Sequence, residues 1–190
     1  MEIKFRVNNV GISKLERQLQ QRFGGTEFGE QVTESDAFFQ HPCRNFVQTD
    51  ECLRLRNRIF SDGPSKHFLT YKGPKIDTST KTRRELEMQI EEPECLESIL
   101  MALGFCKSAF IRKFRRRMAL IIEHRNVDIV FDTLPDLPES ARHFIEMETI
   151  AAEEEIEKCR TLILDIARQL GLSEPIRDSY LKLVQNYEKG

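Results

Sequence analysis

The sequence predicts an α+β fold built on an antiparallel sheet with one charged face and one apolar face. Three observations lead there. Six short stretches place polar side chains, nearly all charged, two residues apart: Glu2-Ile3-Lys4, Arg54-Leu55-Arg56, Thr70-Tyr71-Lys72, Glu85-Leu86-Glu87, Lys113-Phe114-Arg115 and Glu146-Met147-Glu148. A β-strand sends alternate side chains to opposite faces, so each pair shares a face and the intervening apolar residue takes the other. Segments with helical spacing of apolar residues separate groups of these strands, and Asp62-Gly63-Pro64 and Gly73-Pro74 supply turn chemistry between them. One such strand is ordinary; six, with basic and acidic pairs, make a face suited to a polyanion held together with metal ions.

Taken in order, residues 2–8 form a strand with Ile3, Phe5 and Val7 on one face and Glu2, Lys4 and Arg6 on the other. Residues 11–23 carry Ile12, Leu15, Leu19 and Phe23 at helical spacing, closed by Gly24-Gly25. Strands follow near 26–40, 51–60, 66–74 and 82–90. A second helix spans 92–103 and ends at Gly104. Residues 106–135 form a long hairpin that turns around His124-Arg125-Asn126, and a last strand covers 143–151. Helices at 152–170 and 175–188 complete the chain, for about eight strands and four helices in a single domain over 1–190. Eight sequential antiparallel strands can close into a barrel, which removes exposed edges. Its apolar face then lies outside, under the amphipathic helices; an open sheet with one solvated face fits the alternation equally well.

Composition narrows the function classes. The net charge is −2, from 29 basic and 31 acidic side chains, which argues against a general nucleic-acid binder. The run Arg112-Lys113-Phe114-Arg115-Arg116-Arg117 splits in a strand, with Lys113, Arg115 and Arg117 inward and Arg112 and Arg116 outward. No apolar run approaches the roughly 18–20 residues of a membrane span, and the start MEIKFRVNN lacks an apolar signal core. Five scattered cysteines show no C-x-x-C spacing, and His41, His67, His124 and His143 share no ligand spacing. The expectation is a reduced cytoplasmic protein with no membrane partner.

The ordered motifs resemble a known family. EIKFRV resembles the end of the E-x-E-x-K strand of the CYTH, or triphosphate tunnel metalloenzyme, superfamily. Asp36-Ala37-Phe38-Phe39, Leu53-Arg54-Leu55-Arg56, Thr70-Tyr71-Lys72-Gly73-Pro74, Arg83-Arg84-Glu85-Leu86-Glu87, Ile111-Arg112-Lys113-Phe114-Arg115, Asp132 and Phe144-Ile145-Glu146-Met147-Glu148 follow in the family's order. The tail Arg177-Asp178-Ser179-Tyr180-Leu181-Lys182-Leu183 resembles the ending of the class IV adenylate cyclase branch. Each motif alone is weak; their joint order is specific.

The resemblance implies an eight-stranded antiparallel β-tunnel, a closed barrel with a charged interior, surrounded by about four helices. It implies that Lys4, Arg54, Arg56, Lys72, Arg83, Lys113 and Arg115 hold a triphosphate, with Lys113 and Arg115 nearest the chemistry. Glu2, Glu85, Glu87, Asp132, Glu146 and Glu148 hold Mg²⁺ or Mn²⁺ or orient the cations. The residue types suit these roles: Arg grips phosphate oxygens in bidentate fashion, Lys adds a point charge, and hard divalent cations take carboxylate oxygens. No general base is identified. The implied activity is conversion of ATP to cyclic AMP and pyrophosphate. The alternatives are a triphosphatase acting on tripolyphosphate or thiamine triphosphate, and a tunnel that binds polyphosphate or nucleotides without turnover. The partner is then a nucleoside triphosphate or an inorganic or organic triphosphate, with a homodimer left open. Two departures stand out: the family's first glutamate falls one residue before Met1, which implies either an upstream start or one ligand fewer, and the segment before Phe144 lacks the family's glycine.

Overall fold

The computed structural model of the chain describes residues 1–24, 27–75 and 83–188; Gly25 of the glycine pair and residues 26 and 82 of two expected strands lie outside them. Strands are β1 (Glu2–Arg6), β2 (Val32–Gln40), β3 (Cys52–Ile59), β4 (Lys66–Lys75), β5 (Arg83–Ile90), β6 (Cys106–Ile122), β7 (Arg125–Thr133), β8 (His143–Glu148) and the two-residue β9 (Pro175–Ile176). Helices are α1 (Asn9–Phe23), α2 (Pro93–Ala102), α3 (Ile156–Gln169), preceded by a 3-10 turn at Glu153–Glu155, and α4 (Tyr180–Glu188).

All strand pairs are antiparallel, in the order β5-β4-β3-β2-β6-β7-β8-β1-β9. The expected eight-stranded closed barrel is therefore corrected to a nine-stranded sheet whose pairing does not close among the described residues. The physical reason lies at β1. Lys4 and Phe5 pair with Ile176 and Pro175 of β9, so the position a closing strand would take is occupied, and β5 stays an edge.

Register carries the two-faced character across the sheet. Lys4 faces Glu146, Arg115 faces Asp132, Glu34 faces both Lys113 and Arg58, Asp36 faces Arg56, and Thr70 faces Glu87. These residues share one face. The opposite face is apolar and lies under three helices. Leu15 and Leu19 of α1 and Ile163 and Ile166 of α3 pack on Phe5, Met118, Ile129, Ile145 and Met147; Leu100 of α2 packs on Phe39 and Leu55. Burying a leucine or isoleucine contributes about 1.5–3 kcal/mol, so these helices fix which face of the sheet is left to the charges.

The fourth helix departs from expectation. Residues 175–176 are strand, and α4 starts only at Tyr180, where Ser179 Oγ accepts the Lys182 N–H at 3.2 Å and caps the helix. Leu183 then packs with Phe38, Ile111 and Phe144, which lie on the charged side of the sheet. Three helices cover the apolar face; α4 covers one end of the other.

Local chemistry explains the boundaries. Asn8 Oδ1 accepts the Gly11 N–H at 2.6 Å and starts α1, and Gly24 at φ +64° ends it. A Cβ at Gly24 would meet nothing within 4 Å. Gly24→Ala is therefore expected to cost only the backbone term, about 1 kcal/mol, read as a fall of roughly 3 °C in Tm; an unchanged melt would contradict the cap. The β6–β7 hairpin turns on Glu123 and His124 at φ +50° and +64°, a two-residue turn of the primed kind one position earlier than the sequence suggests.

Candidate active site

The charged face carries a continuous chain of ionic contacts that runs from β5 to β1. Glu87 Oε2 accepts from Thr70 Oγ1 at 2.8 Å, and Thr70 Oγ1 accepts from Arg54 Nη2 at 3.2 Å. Arg54 Nη1 lies 3.5 Å from Asp36 Oδ2, and Arg56 grips Asp36 in bidentate fashion at 2.6 and 2.7 Å. Arg56 Nη1 also reaches Glu34 Oε2 at 2.8 Å. From Glu34 the chain crosses to β6: Lys113 Nζ is 3.0 Å from Glu34 Oε2 and 3.7 Å from Asp132 Oδ2. Arg115 holds Asp132 at 2.7 and 2.5 Å and Glu146 at 2.7 Å, and Glu146 Oε1 lies 3.3 Å from Lys4 Nζ.

Most of this network is out of water. Lys4, Glu34, Asp36, Arg56, Lys113, Asp132 and Glu146 are all buried, Glu34 completely. Buried charge is costly unless paired, and the titration behaviour shows how well it is paired. Burial alone would raise Glu34, yet Lys113, Arg115, Arg56 and Arg58 together hold its carboxyl far below the usual carboxylate range. Asp36 behaves alike: burial raises it, and Arg54 and Arg56 outweigh that and pull it down. Burial would lower Arg115, but Asp132, Glu146 and Glu34 outweigh that and push it well above its ordinary range.

The carboxylates at the β1–β8 end behave differently. Glu2, Glu146 and Glu148 each place an oxygen within 4.8 Å of the others. Burial first, then neighbouring Glu146 and Glu2, push Glu148 up to about 7 against the pull of Arg115 and Lys113. Three converging carboxylates that repel one another are a donor set for a hard divalent cation.

A CYTH domain model matches residues 1–180. The chain belongs to the CYTH domain family. A Methanocaldococcus jannaschii protein provisionally named an adenylate cyclase is 33% identical over 186 residues, covering 96% of this chain and 97% of that one. A solved structure of a Pyrococcus horikoshii OT3 protein is 34% identical and covers 98% of both chains, with a TM-score of 0.80. A Hippeastrum protein, provisionally called an adenylyl cyclase and described as having a dominant triphosphatase activity, shares the fold at 15% identity and a TM-score of 0.65 over 98% of this chain and 95% of its own.

Within this CYTH domain the residues singled out from sequence separate into three groups. Lys4, Arg54, Arg56, Lys113, Arg115, Asp132 and Glu146 lie in the network just traced, with Asp132 paired to Arg115 rather than in the carboxylate triad. Glu2, Glu146 and Glu148 form that triad. The rest sit at the β4–β5 edge: Lys72 pairs with Glu85 at 2.8 Å, Glu87 meets Thr70 and Arg54, and Arg83 donates to the Asp50 and Gly73 carbonyls at 3.4 Å. Glu85 and Glu87 thus stand apart from the carboxylate triad. Arg112 and Arg116 point to the apolar side and pair with Asp136 and Glu16, while Arg117 pairs with Asp128.

Sequence reasoning gave no role to Glu34, Asp36, Arg58 or Thr70. The signal existed. Glu34-Ser35-Asp36 has the same two-residue spacing as the other pairs, and Arg58 continues the parity of Arg54 and Arg56.

Proposed function

We propose that the charged face of this CYTH domain is a divalent-metal-dependent site for a triphosphate chain, and that the enzyme is adenylate cyclase-like, converting ATP to cyclic AMP and pyrophosphate. One observation supports this above the others: buried cations from β1, β3 and β6 share a face with the Glu2, Glu146 and Glu148 triad. The name of the Methanocaldococcus jannaschii relative points the same way.

In this reading Lys113, Arg115, Arg56 and Lys4 exchange part of their contact with Glu34, Asp132 and Glu146 for phosphate oxygens. Arg54 and the Lys72–Glu85 and Arg83 region extend the grip toward the open edge at β5. Glu2, Glu146 and Glu148 would hold Mg²⁺ or Mn²⁺. A divalent ion there would neutralise phosphate oxygens and stabilise charge developing in the transfer. The 3′-hydroxyl oxygen attacks the α-phosphorus, the α–β anhydride bond breaks, and pyrophosphate and a proton leave. Lys113 and Arg115 stabilise the charge that builds on the leaving pyrophosphate.

A second reading, hydrolysis of inorganic tripolyphosphate or thiamine triphosphate, is favoured by the position of α4. The apolar end of the charged face, Phe38, Ile111 and Phe144, where a base could stack, is packed against α4. Product identification separates the two. ATP, tripolyphosphate and thiamine triphosphate are each incubated with purified protein and Mg²⁺ or Mn²⁺. Cyclic AMP with pyrophosphate is the expected result, orthophosphate selects the hydrolase, and no product from any of them refutes an enzyme.

Glu146→Gln is expected to raise the metal concentration for half-maximal activity by about tenfold, as loss of one charged ligand does, with a smaller change in KM for the triphosphate. A larger shift in KM than in metal requirement would remove Glu146 from the metal set.

A further inference from the structure

Tyr180 opens α4 and stands where the C-terminal segment meets the charged face. The Lys4 ammonium lies 3.5 Å from the centroid of its ring, and Lys113 Nζ lies 5.3 Å from the same centroid. The ring meets Phe144 edge-on at 5.2 Å between centroids. Lys4 is 1% exposed, and Glu146 Oε1 and the Asp178 carbonyl oxygen, each at 3.3 Å, bracket its ammonium. The Tyr180 hydroxyl is buried without a hydrogen bond of good geometry. Burial first, then Asp132 and Glu146 nearby, raise it well above its usual 10, and a buried phenol O–H with no well-formed partner among the described residues is left free to donate to a ligand on this face.

An apolar anchor for α4 already exists in Leu183. A residue needed only for packing would not have to present an aromatic face to two ammonium groups. The face of a tyrosine ring attracts a cation electrostatically, and more strongly where both are desolvated.

We propose that Tyr180 is a positioning residue of the triphosphate site: its ring seats the Lys4 ammonium between Glu146 and the Asp178 carbonyl, and its hydroxyl adds a donor to the charged face. The C-terminal helix is then a wall of the site rather than a cover laid over one end of the sheet. This inference rests on the triphosphate reading above. The sequence Arg177-Asp178-Ser179-Tyr180 combines the elements required: a backbone carbonyl for Lys4, a helix cap, and the ring.

The test uses the full chain with Tyr180→Phe and Tyr180→Leu, and two readouts. The first is the rate at which an amine-reactive reagent labels Lys4 without ligand, followed by peptide mass spectrometry. The second is tripolyphosphate affinity in Mn²⁺, by titration calorimetry. Tyr180→Leu is expected to speed Lys4 labelling severalfold and weaken tripolyphosphate roughly tenfold. Tyr180→Phe keeps Lys4 protected and loses only about threefold, the share of one neutral donor. If Tyr180→Leu lowers Tm markedly, Tyr180→Met, which fills the space without a ring face, takes its place. Wild-type labelling and affinity in the ringless variant would overturn the proposal, as would a Phe variant that labels as fast as Leu. A wild-type chain that binds no tripolyphosphate overturns the triphosphate reading, and Lys4 labelling then decides separately whether the ring seats that lysine.

Discussion

Glu34→Ala is expected to destabilise the protein by about 3–5 kcal/mol, because removing one partner of a buried ionic cluster strands the others. For a chain of this length that is a fall of roughly 10 °C in Tm. Glu34 sits on β2 between the two strands that supply most of the cations, and contacts Arg56 at 2.8 Å, Arg58 at 2.6 Å and Lys113 at 3.0 Å, with Arg115 Nε at 3.8 Å. Without it, four cations of β3 and β6, three of them largely buried, face one another with Asp36, Asp132 and Glu146 left to balance them. The effect has a pH signature. A carboxyl held below its unfolded value stabilises fully above that value and loses the contribution as pH falls through the folded one. The difference in stability between wild type and Glu34→Gln should therefore be constant near neutrality and narrow progressively below about pH 4.5. Chemical denaturation at pH 7 and pH 3.5 measures it. A Tm within 2 °C of wild type for Glu34→Ala would refute the role of Glu34 as the hub of the network.

Lys113→Ala and Arg56→Ala are each expected to weaken triphosphate binding about tenfold or more, since a charged hydrogen bond contributes roughly 1.5–3 kcal/mol. The two differ in what else they disturb. Lys113 is 3% exposed and reaches Glu34 and Asp132 with a single ammonium, which can turn toward a phosphate oxygen. Arg56 spends Nε and Nη2 on Asp36 and Nη1 on Glu34 in the unliganded protein. Both variants should thus lose stability as well as affinity, Arg56→Ala the more because it gives up three close contacts where Lys113→Ala gives up one close and one longer contact. Calorimetric titration beside a denaturation midpoint separates them. Unchanged affinity in both variants would place the phosphates elsewhere.

The strands and their two faces were legible because alternation is a local property. Glu2-Ile3-Lys4 and Glu146-Met147-Glu148 already state which side chains share a face, and the sheet register aligns Glu2 with Glu148 and Lys4 with Glu146. Which cation meets which carboxylate was not legible, since Glu34 touches Arg56 and Lys113 only through pairing between strands more than 20 residues apart. The same limit hid the edge at β1: two residues, Pro175 and Ile176, read as the start of a helix, yet they pair with Phe5 and Lys4. The side on which α4 packs was equally hidden, because Leu183 and Tyr180 carry the apolar spacing of any surface helix. The separation of Glu85 and Glu87 from the other acidic pair follows from sheet order, which sets β5 and β8 six positions apart.

The central claim is that cations and carboxylates on one face of the sheet together bind a metal–triphosphate complex. Titration calorimetry of tripolyphosphate into the wild-type protein, with Mn²⁺ and then with a chelator, tests it most directly. The account predicts saturable binding of one tripolyphosphate per chain that weakens at least tenfold when the metal is removed. Absence of binding under either condition would contradict it, and so would equal affinity in both.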